Sequence, residues 1–467
     1  MGIFNILGSA LLASTSKLLR FCFVITLLSA STQSNGQSLP TFADTNFQAC
    51  FDEQAIENNW QQIEDVDILL CSGRDIEFVG GVEQLTNLLQ LDLSDNPLSD
   101  QFSLFEVFQQ AQNLEYLNLS GTSLLFGLTD LFELTNLTHL LLNDVTFIDQ
   151  FFNVQQDLIQ VIRNNPGITH LGLNSIELSD PNLFLNELLF QQVEPLELVS
   201  LELSDTGVEF LPTFFPERFA QLEVLDLSDN PLNDQNQLFL VFQQTQNLEY
   251  LNLSGSNVSS LDDLLSLTSL RSLFLNSDEP VNYSIQTLDQ IILNNELLVE
   301  LGLNGIQLQS DVDLILNTIA DSLIVDLGIA NVGITNLLLP DLLIERLQSL
   351  DVSSNGLTEL PNLELAQQLE SLVLDDNGFV DIGALLVDLP SLNFLSLLNN
   401  SAIACEDLEL LANQFGNDVQ IINPDDCGVV EEPEPEPVDA AALYALISFI
   451  LLEEEVEEDT ETESAQN

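Results

Sequence analysis

One nine-residue pattern dominates the chain. Leucine or isoleucine stands at positions 1, 4 and 6, Val352 being the one exception, and positions 3 and 5 are mostly polar. It is plain in LLQLDLSDN from Leu88 and LEYLNLSGT from Leu114, and it returns from Leu137, Ile168, Leu198, Leu222, Leu248, Leu270, Leu298, Ile324, Leu347, Leu369 and Leu392. These thirteen copies are spaced by 22 to 31 residues, and a degenerate fourteenth precedes them around Ile68 to Ile76. Alternation of apolar and polar residues is the period of a strand with one buried face. A single such coil cannot bury its leucines, whereas stacked coils make one continuous core. The pattern therefore predicts short parallel strands lining one side of a solenoid.

This pattern resembles the leucine-rich repeat family over about residues 66 to 404. The shorter copies are similar to the 22-residue, internalin-like class, whose spacing is followed by Leu261, Leu264, Leu267, Leu270, Leu273 and Leu275. FADTNFQAC, the run Cys71-Ser-Gly-Arg-Asp-Ile and GGVEQLTNL resemble the cysteine-containing N-terminal cap of secreted bacterial members. The resemblance implies an α/β fold, a leucine-rich repeat solenoid or arc of about 13–14 coils with a parallel concave sheet. Its rigid concave face would present side chains to a protein partner. Asn96, Asn230, Asn355, Asn377 and Asn400 at position 9 are expected to hydrogen-bond backbone groups in the turn. Thr122, Thr206, Val145, Ile176, Ile306 and Val332 interrupt that series.

A longer repetition overlies the coils. LDLSDNPLSDQ from Leu91 returns as LDLSDNPLNDQ from Leu225, and FQQAQNLEYLNLSG from Phe108 returns as FQQTQNLEYLNLSG from Phe242. RNNPGITHLGLNSIEL from Arg163 corresponds to LNNELLVELGLNGIQL from Leu293. A block of about 134 residues is thus duplicated, 88–220 and 222–346. Longer coils carry apolar-periodic segments, such as Asp149 to Arg163 and Ile285 to Leu293, that are expected to be helices on the convex side.

The ends have a different character. Lys17 and Arg20 precede the apolar stretch Phe21 to Ala30 and a small polar run, so 1–36 is expected to be a signal peptide, with an N-terminal membrane anchor as the alternative. Cys22 lies within it. The other four cysteines, Cys50, Cys71, Cys405 and Cys427, allow three pairings. In a solenoid of thirteen coils with strands ~4.8 Å apart, the two ends lie on the order of 60 Å from one another, beyond the reach of a bridge. Cys50–Cys71 and Cys405–Cys427 are then the expected pairs, each closing an end cap. The organisation expected is an N-terminal cap with the degenerate coil at 37–87, repeats at 88–404, a C-terminal cap at 405–428 and a tail at 429–467. The tail joins a Pro/Glu linker, the apolar run Ala440 to Leu452 and an acidic, disordered end. That run is short for a bilayer span of about 20 residues. It is read as a helix that docks on the solenoid or self-associates, with membrane contact through 440–452 as the alternative.

Charge narrows the partners. The chain has 74 Asp+Glu against 7 Lys+Arg, a net charge of −67, so it lacks the cations that nucleic acid demands and no nucleic-acid partner is expected. Removing 1–36 leaves five arginines and no lysine, hence −69; without the 13 acids of the tail the body still carries −56. The acidity belongs to the whole surface and reports the medium, salty or acidic, as much as any one site. With 45% hydrophobic residues and a mean hydropathy of +0.21 the chain can nevertheless bury a large core.

Candidate chemistry lies on positions 3 and 5. Tyr116, His139, His170, Tyr250, Glu300 and Phe394 occupy position 3, and Leu141, Glu202, Asp226, Phe274 and Val373 occupy position 5. Aromatics beside carboxylates suit a protein or peptide ligand with a basic, partly apolar surface. Leu141, Phe274 and Val373, apolar on a strand face expected to be solvated, are the expected anchors. His139 and His170 on neighbouring strands could share a metal ion with Asp144. The duplicate block, however, has Tyr250, Ser272 and Glu300 in the matching places, so solvent-exposed histidines on a binding face are expected instead. Ser120 lacks a nucleophile elbow or third triad member. No enzyme, cofactor or dedicated metal site is expected; pairs such as Asp92 with Asp95, Asp226 with Asp229 and Asp375 with Asp376 leave weak calcium binding open. The function expected is a secreted or cell-surface binding module for protein interaction or adhesion, the alternative an acidic, cation-associated extracellular coat without a specific partner.

Overall fold

The computed structural model describes residues 37–427, apart from the short stretches 100, 125–127, 149–152, 191–195, 212–218, 233–239, 257, 309–310, 362, 386–388, 417–418 and 425–426. The expected signal peptide at 1–36 and the tail from 429 onward, with its apolar run, lie outside the described residues.

Each of the thirteen repeat copies contributes a three-residue strand at positions 3 to 5. Together with Ile68–Leu70 before them and Gln420–Ile422 after them, they form a fifteen-stranded sheet whose neighbours are all parallel. The final strand lies within the segment expected to be a cap, so the sheet runs one strand past the last repeat. Register is uniform, position 3 against position 3: Tyr116 lies beside His139, His139 beside His170, and Tyr250 beside Ser272. The leucines at positions 1, 4 and 6 are buried in one core running the length of the coil stack, from Leu88, Leu91 and Leu93 to Leu392, Leu395 and Leu397.

The return path depends on coil length. Short coils close with a single 3-10 turn, as at Asp262–Ser266. Longer ones fit α-helices, including Val154–Asn164, Pro181–Phe190, Ile285–Asn294 and Val312–Ala320. The helix expected from Asp149 begins at Val154, where Asn153 caps it by accepting the N–H of Gln156.

Position 8 turns the chain off the sheet with left-handed backbone. Asp95, Asp144, Ser175, Asp205, Asp229, Asn331, Ser354, Asp376 and Asn399 all have φ between 51° and 58°, and Gly121, Gly255 and Gly305 serve in other copies. Glycine, asparagine and aspartate tolerate this region best, which is the physical reason for the recurrent SDN and SGT strings. One residue later the expected asparagines bind the turn. Asn96 Nδ2 donates to the carbonyls of Cys71, Leu93 and Ser94, and its Oδ1 accepts from the N–H groups of Arg74 and Ile76. Asn230 repeats the set with Leu203, Leu227 and Ser228. Where threonine replaces asparagine, Thr122 and Thr206 each donate to one carbonyl, of Leu119 and Leu203.

Both ends are sealed. The Cys50–Cys71 bridge ties the helix Thr45–Glu57 to the first strand with Cα atoms 5.9 Å apart, and Phe42, Phe47, Phe51 and Trp60 pack edge-on or tilted over the first coil. Cys405–Cys427, with Cα atoms 5.2 Å apart, joins the helix Cys405–Phe415 to the chain beyond the last strand. Among the described residues no helix is long and apolar enough to cross a membrane.

Candidate functional site: the concave sheet

Positions 3, 5 and 7 of successive coils share one face of the sheet, so the register above converts sequence columns into rows of neighbouring side chains. In none of the thirteen repeat copies does Lys or Arg hold any of these positions, whereas Asp92, Glu202, Asp226, Glu300, Asp326, Asp351 and Asp375 do. Three described arginines are paired away from them: Arg74 with Glu53 at 2.9 Å, Arg163 with Glu187 at 3.6 Å and Arg271 with Glu249 at 3.1 Å. Arg346 spends its guanidinium on the carbonyls of Ile319, Ala320, Ile324 and Leu342.

Five of the aromatic members, all but Phe394, fall into two groups. His139 and His170 stack face to face with ring centroids 4.0 Å apart and planes 12° apart, and Tyr116 leans on His139 at 5.5 Å. The sequence leads one to expect exposed histidines; the structure half-buries both, because the two rings on adjacent strands cover one another. Burial lowers the pKa of His139, and the charge of His170 lowers it further; burial lowers that of His170 against the opposing pull of Glu223. Nδ1 of each ring lies 2.9 Å from the hydroxyl of the preceding residue, Thr138 or Thr169, which fixes the ring planes. Asp144 is exposed at its turn, and among the described residues no group of three or more His, Cys, Asp or Glu could hold a metal ion.

The second group is Tyr250 with Phe274, 5.7 Å apart. Phe274 lies over Gly302, where a Cβ would come within 2.9 Å of its ring. Leu141 and Val373 are likewise half-buried on the sheet surface, and Phe394 and Glu300 are half-buried at its C-terminal half. Glu202 lies between the two aromatic groups. Burial raises its pKa, against hydrogen bonds from Asn143 Nδ2 at 2.8 Å and the hydroxyl of Ser200.

Position 7, outside the two columns expected to carry the site, is a polar ladder. Asn143 Oδ1 accepts the N–H of Asn174, Asn174 Oδ1 accepts that of Ser204, Asn276 Oδ1 that of Asn304, and Asn304 Oδ1 that of Ala330. Three of these asparagines, Asn143, Asn276 and Asn304, need room on the next strand, whereas Asn174 meets Glu202 there, with Nδ2 at 3.5 Å from its carboxylate. Gly172, Gly302 and Gly328 supply that room, since a Cβ at any of them would sit 2.7–2.8 Å from an asparagine oxygen. The signal was present in the sequence as Asn at position 7 followed one coil later by Gly at position 5.

The fold is a leucine-rich repeat solenoid. No family model matches the chain. Mouse podocan is 28% identical over 323 residues, which is 64% of this chain and 45% of podocan. Human tubulin-specific chaperone E is 27% identical over 206 residues, 44% of this chain and 32% of the chaperone. The chain thus matches less than half the length of either relative. Among solved structures, the internalin InlF of Listeria monocytogenes is 20% identical, with a TM-score of 0.46, over 76% of this chain and 97% of the internalin.

Proposed function

We propose that this protein is a secreted or cell-surface binding module whose concave sheet engages a protein or peptide ligand with a basic, partly apolar surface. The observation that carries this reading is the composition of the concave face: half-buried aromatics and aliphatics stand among seven carboxylates, with no lysine or arginine at positions 3, 5 or 7 of any repeat copy. Such a face offers apolar contact points interspersed with charge complementary to a basic partner, which sets encounter rate and partner choice. Two disulfides support an oxidising, extracytoplasmic location. A non-enzymatic role is proposed with it, the hydroxyls that meet the histidines being those of Thr138 and Thr169, which fix the ring planes.

Retention of the full chain on a panel of basic secreted proteins tests the reading. Replacing Leu141, Phe274 and Val373 together by serine should weaken every specific partner at least ~10-fold, as loss of interface anchors does. Glu345→Gln on the opposite side should not. Equal retention by both variants would reject the concave face as the binding surface.

A further inference from the structure

The internal duplication has placed the same side-chain constellation twice on the concave face. In the first copy, Asp92 Oδ1 accepts the backbone N–H of Ser94 at 2.9 Å and its hydroxyl at 2.6 Å, while Oδ2 accepts Asn118 Nδ2 at 3.0 Å. In the second, Asp226 Oδ1 accepts the N–H of Ser228 at 2.9 Å and its hydroxyl at 2.6 Å, while Oδ2 accepts Asn252 Nδ2 at 3.2 Å. Each asparagine is itself held by the N–H of Ser120 or Ser254. Each carboxylate is therefore fixed in place before any ligand arrives. Beside it stands a half-buried tyrosine, Tyr116 or Tyr250, backed by a second ring on the next strand, His139 or Phe274.

Coil architecture alone does not require this set. Asp351 also accepts the N–H of its serine, Ser353, but the following strand carries Ser371 and Val373 where the other two copies have tyrosine and asparagine. Tyrosine at position 3 contributes nothing to the leucine core beneath. An oriented carboxylate next to a tyrosine face is a receptor for a cationic side chain, by charge and by cation–π attraction.

We infer that the concave face is bivalent: Asp92 with Tyr116 and Asp226 with Tyr250 form twin receptors for two cationic side chains, arginine or lysine, of one basic protein segment. Tyr250 lies five strands along the sheet from Tyr116. At ~4.8 Å per strand the receptors are on the order of 24 Å apart, the span of about seven extended residues. The occupant is argued from charge complementarity, since the strands between the receptors offer Glu202 and no lysine or arginine at positions 3, 5 or 7, and burial disfavours the charged form of the two histidines there. The inference rests on the concave-face reading above and adds the spacing and the chemistry of the contact.

The test uses the full chain, synthetic peptides bearing one tri-arginine block, and peptides bearing two such blocks joined by Gly–Ser spacers of increasing length, with fluorescence anisotropy at ~0.15 M salt. Linked binding predicts that a two-block peptide able to bridge the receptors binds at least ~10-fold more tightly than the one-block peptide, and that shorter spacers lose the gain. Tyr116→Leu and Tyr250→Leu should each return affinity to the one-block value with the circular dichroism spectrum unchanged. Glu345→Gln should keep the gain. A gain that is independent of spacer length, or that survives both tyrosine variants, is diffuse attraction and overturns the twin receptors. One-block binding that the concave serine variant weakens, without any two-block gain, overturns the twin receptors and leaves the concave face as the binding surface. Failure of both peptides to bind overturns both.

Discussion

At the scale of single residues, the turn at each coil decides more than the leucines do. The leucine positions are interchangeable apolar volume, whereas Asn230 satisfies three carbonyls and accepts from the N–H groups of Thr206 and Val208 while fully enclosed. Asn230→Ala leaves these groups buried without partners and should cost about 3 kcal/mol in urea unfolding. Thr206→Ala removes one donor to the carbonyl of Leu203 and should cost only about 1 kcal/mol. A ratio near one between the two would show that water replaces the asparagine. The same scale explains why Gly172 and Gly328 sit on strands, where glycine is otherwise unfavourable: they leave room for the position 7 asparagines.

At the scale of elements, the convex helices are held by side chains that reach back to the preceding coil. Asn165 and Asn295, the second residues of the duplicated Asn-Asn pairs, each donate to a helix carbonyl and to the coil before, and each accepts a backbone N–H from that coil. In the coil after Val312–Ala320 this task falls to Arg346, whose charge also suits a helix C-terminus. Arg346→Met should destabilise that helix by about 2 kcal/mol, seen as faster amide exchange confined to it and its neighbours. Removing the N-terminal bridge by Cys50→Ser with Cys71→Ser opens a loop of 21 residues and should cost about 3 kcal/mol. Because coils touch only their neighbours, the loss should appear as fraying of the first coils while exchange near Leu273 is unchanged. The repeat copies marked all thirteen strands in the sequence. The strand Gln420–Ile422 was not legible, since it lacks the leucine pattern and is recruited only because the last repeat offers an unpaired edge.

At the scale of the whole molecule, charge and burial act together. Burial raises the pKa of Asp130, Asp157, Glu202, Asp229, Asp263 and Asp326, with neighbouring carboxylates adding to the rise at Glu202, Asp229, Asp263 and Asp326. A carboxylate whose pKa is higher in the folded state takes up protons on folding, so stability falls as pH rises through that value and is regained on acidification. Asp44 works the other way. Burial raises it, but N–H donors from Phe47, Glu77, Phe78 and Asn46 outweigh burial, so its contribution disappears as pH falls below its ordinary 3.8. The lowered histidines contribute above pH 6.5 and lose that contribution as pH falls toward their folded values. Thermal melts should therefore show an optimum on the acid side of neutrality, roughly pH 4–5, with a shallow shoulder below pH 6.5. His170→Gln should shrink the shoulder and raise the pKa of His139, read by proton NMR. A melting temperature that falls steadily from pH 7 to pH 4 would contradict this balance.

The sequence by itself determined the coil, its register and the pairing of the ends, because a strict spacing of leucines has one way to bury them and two caps 60 Å apart cannot exchange partners. It also fixed which residues share the concave columns. What only the tertiary structure decided is how those columns interact. Strand-to-strand contact turned two exposed histidines into a half-buried stack, laid Phe274 over Gly302, and fixed Asp92 and Asp226 in identical hydrogen-bond settings beside their tyrosines. Those are contacts between residues 24 to 31 positions apart, made by stacking and invisible in any single coil.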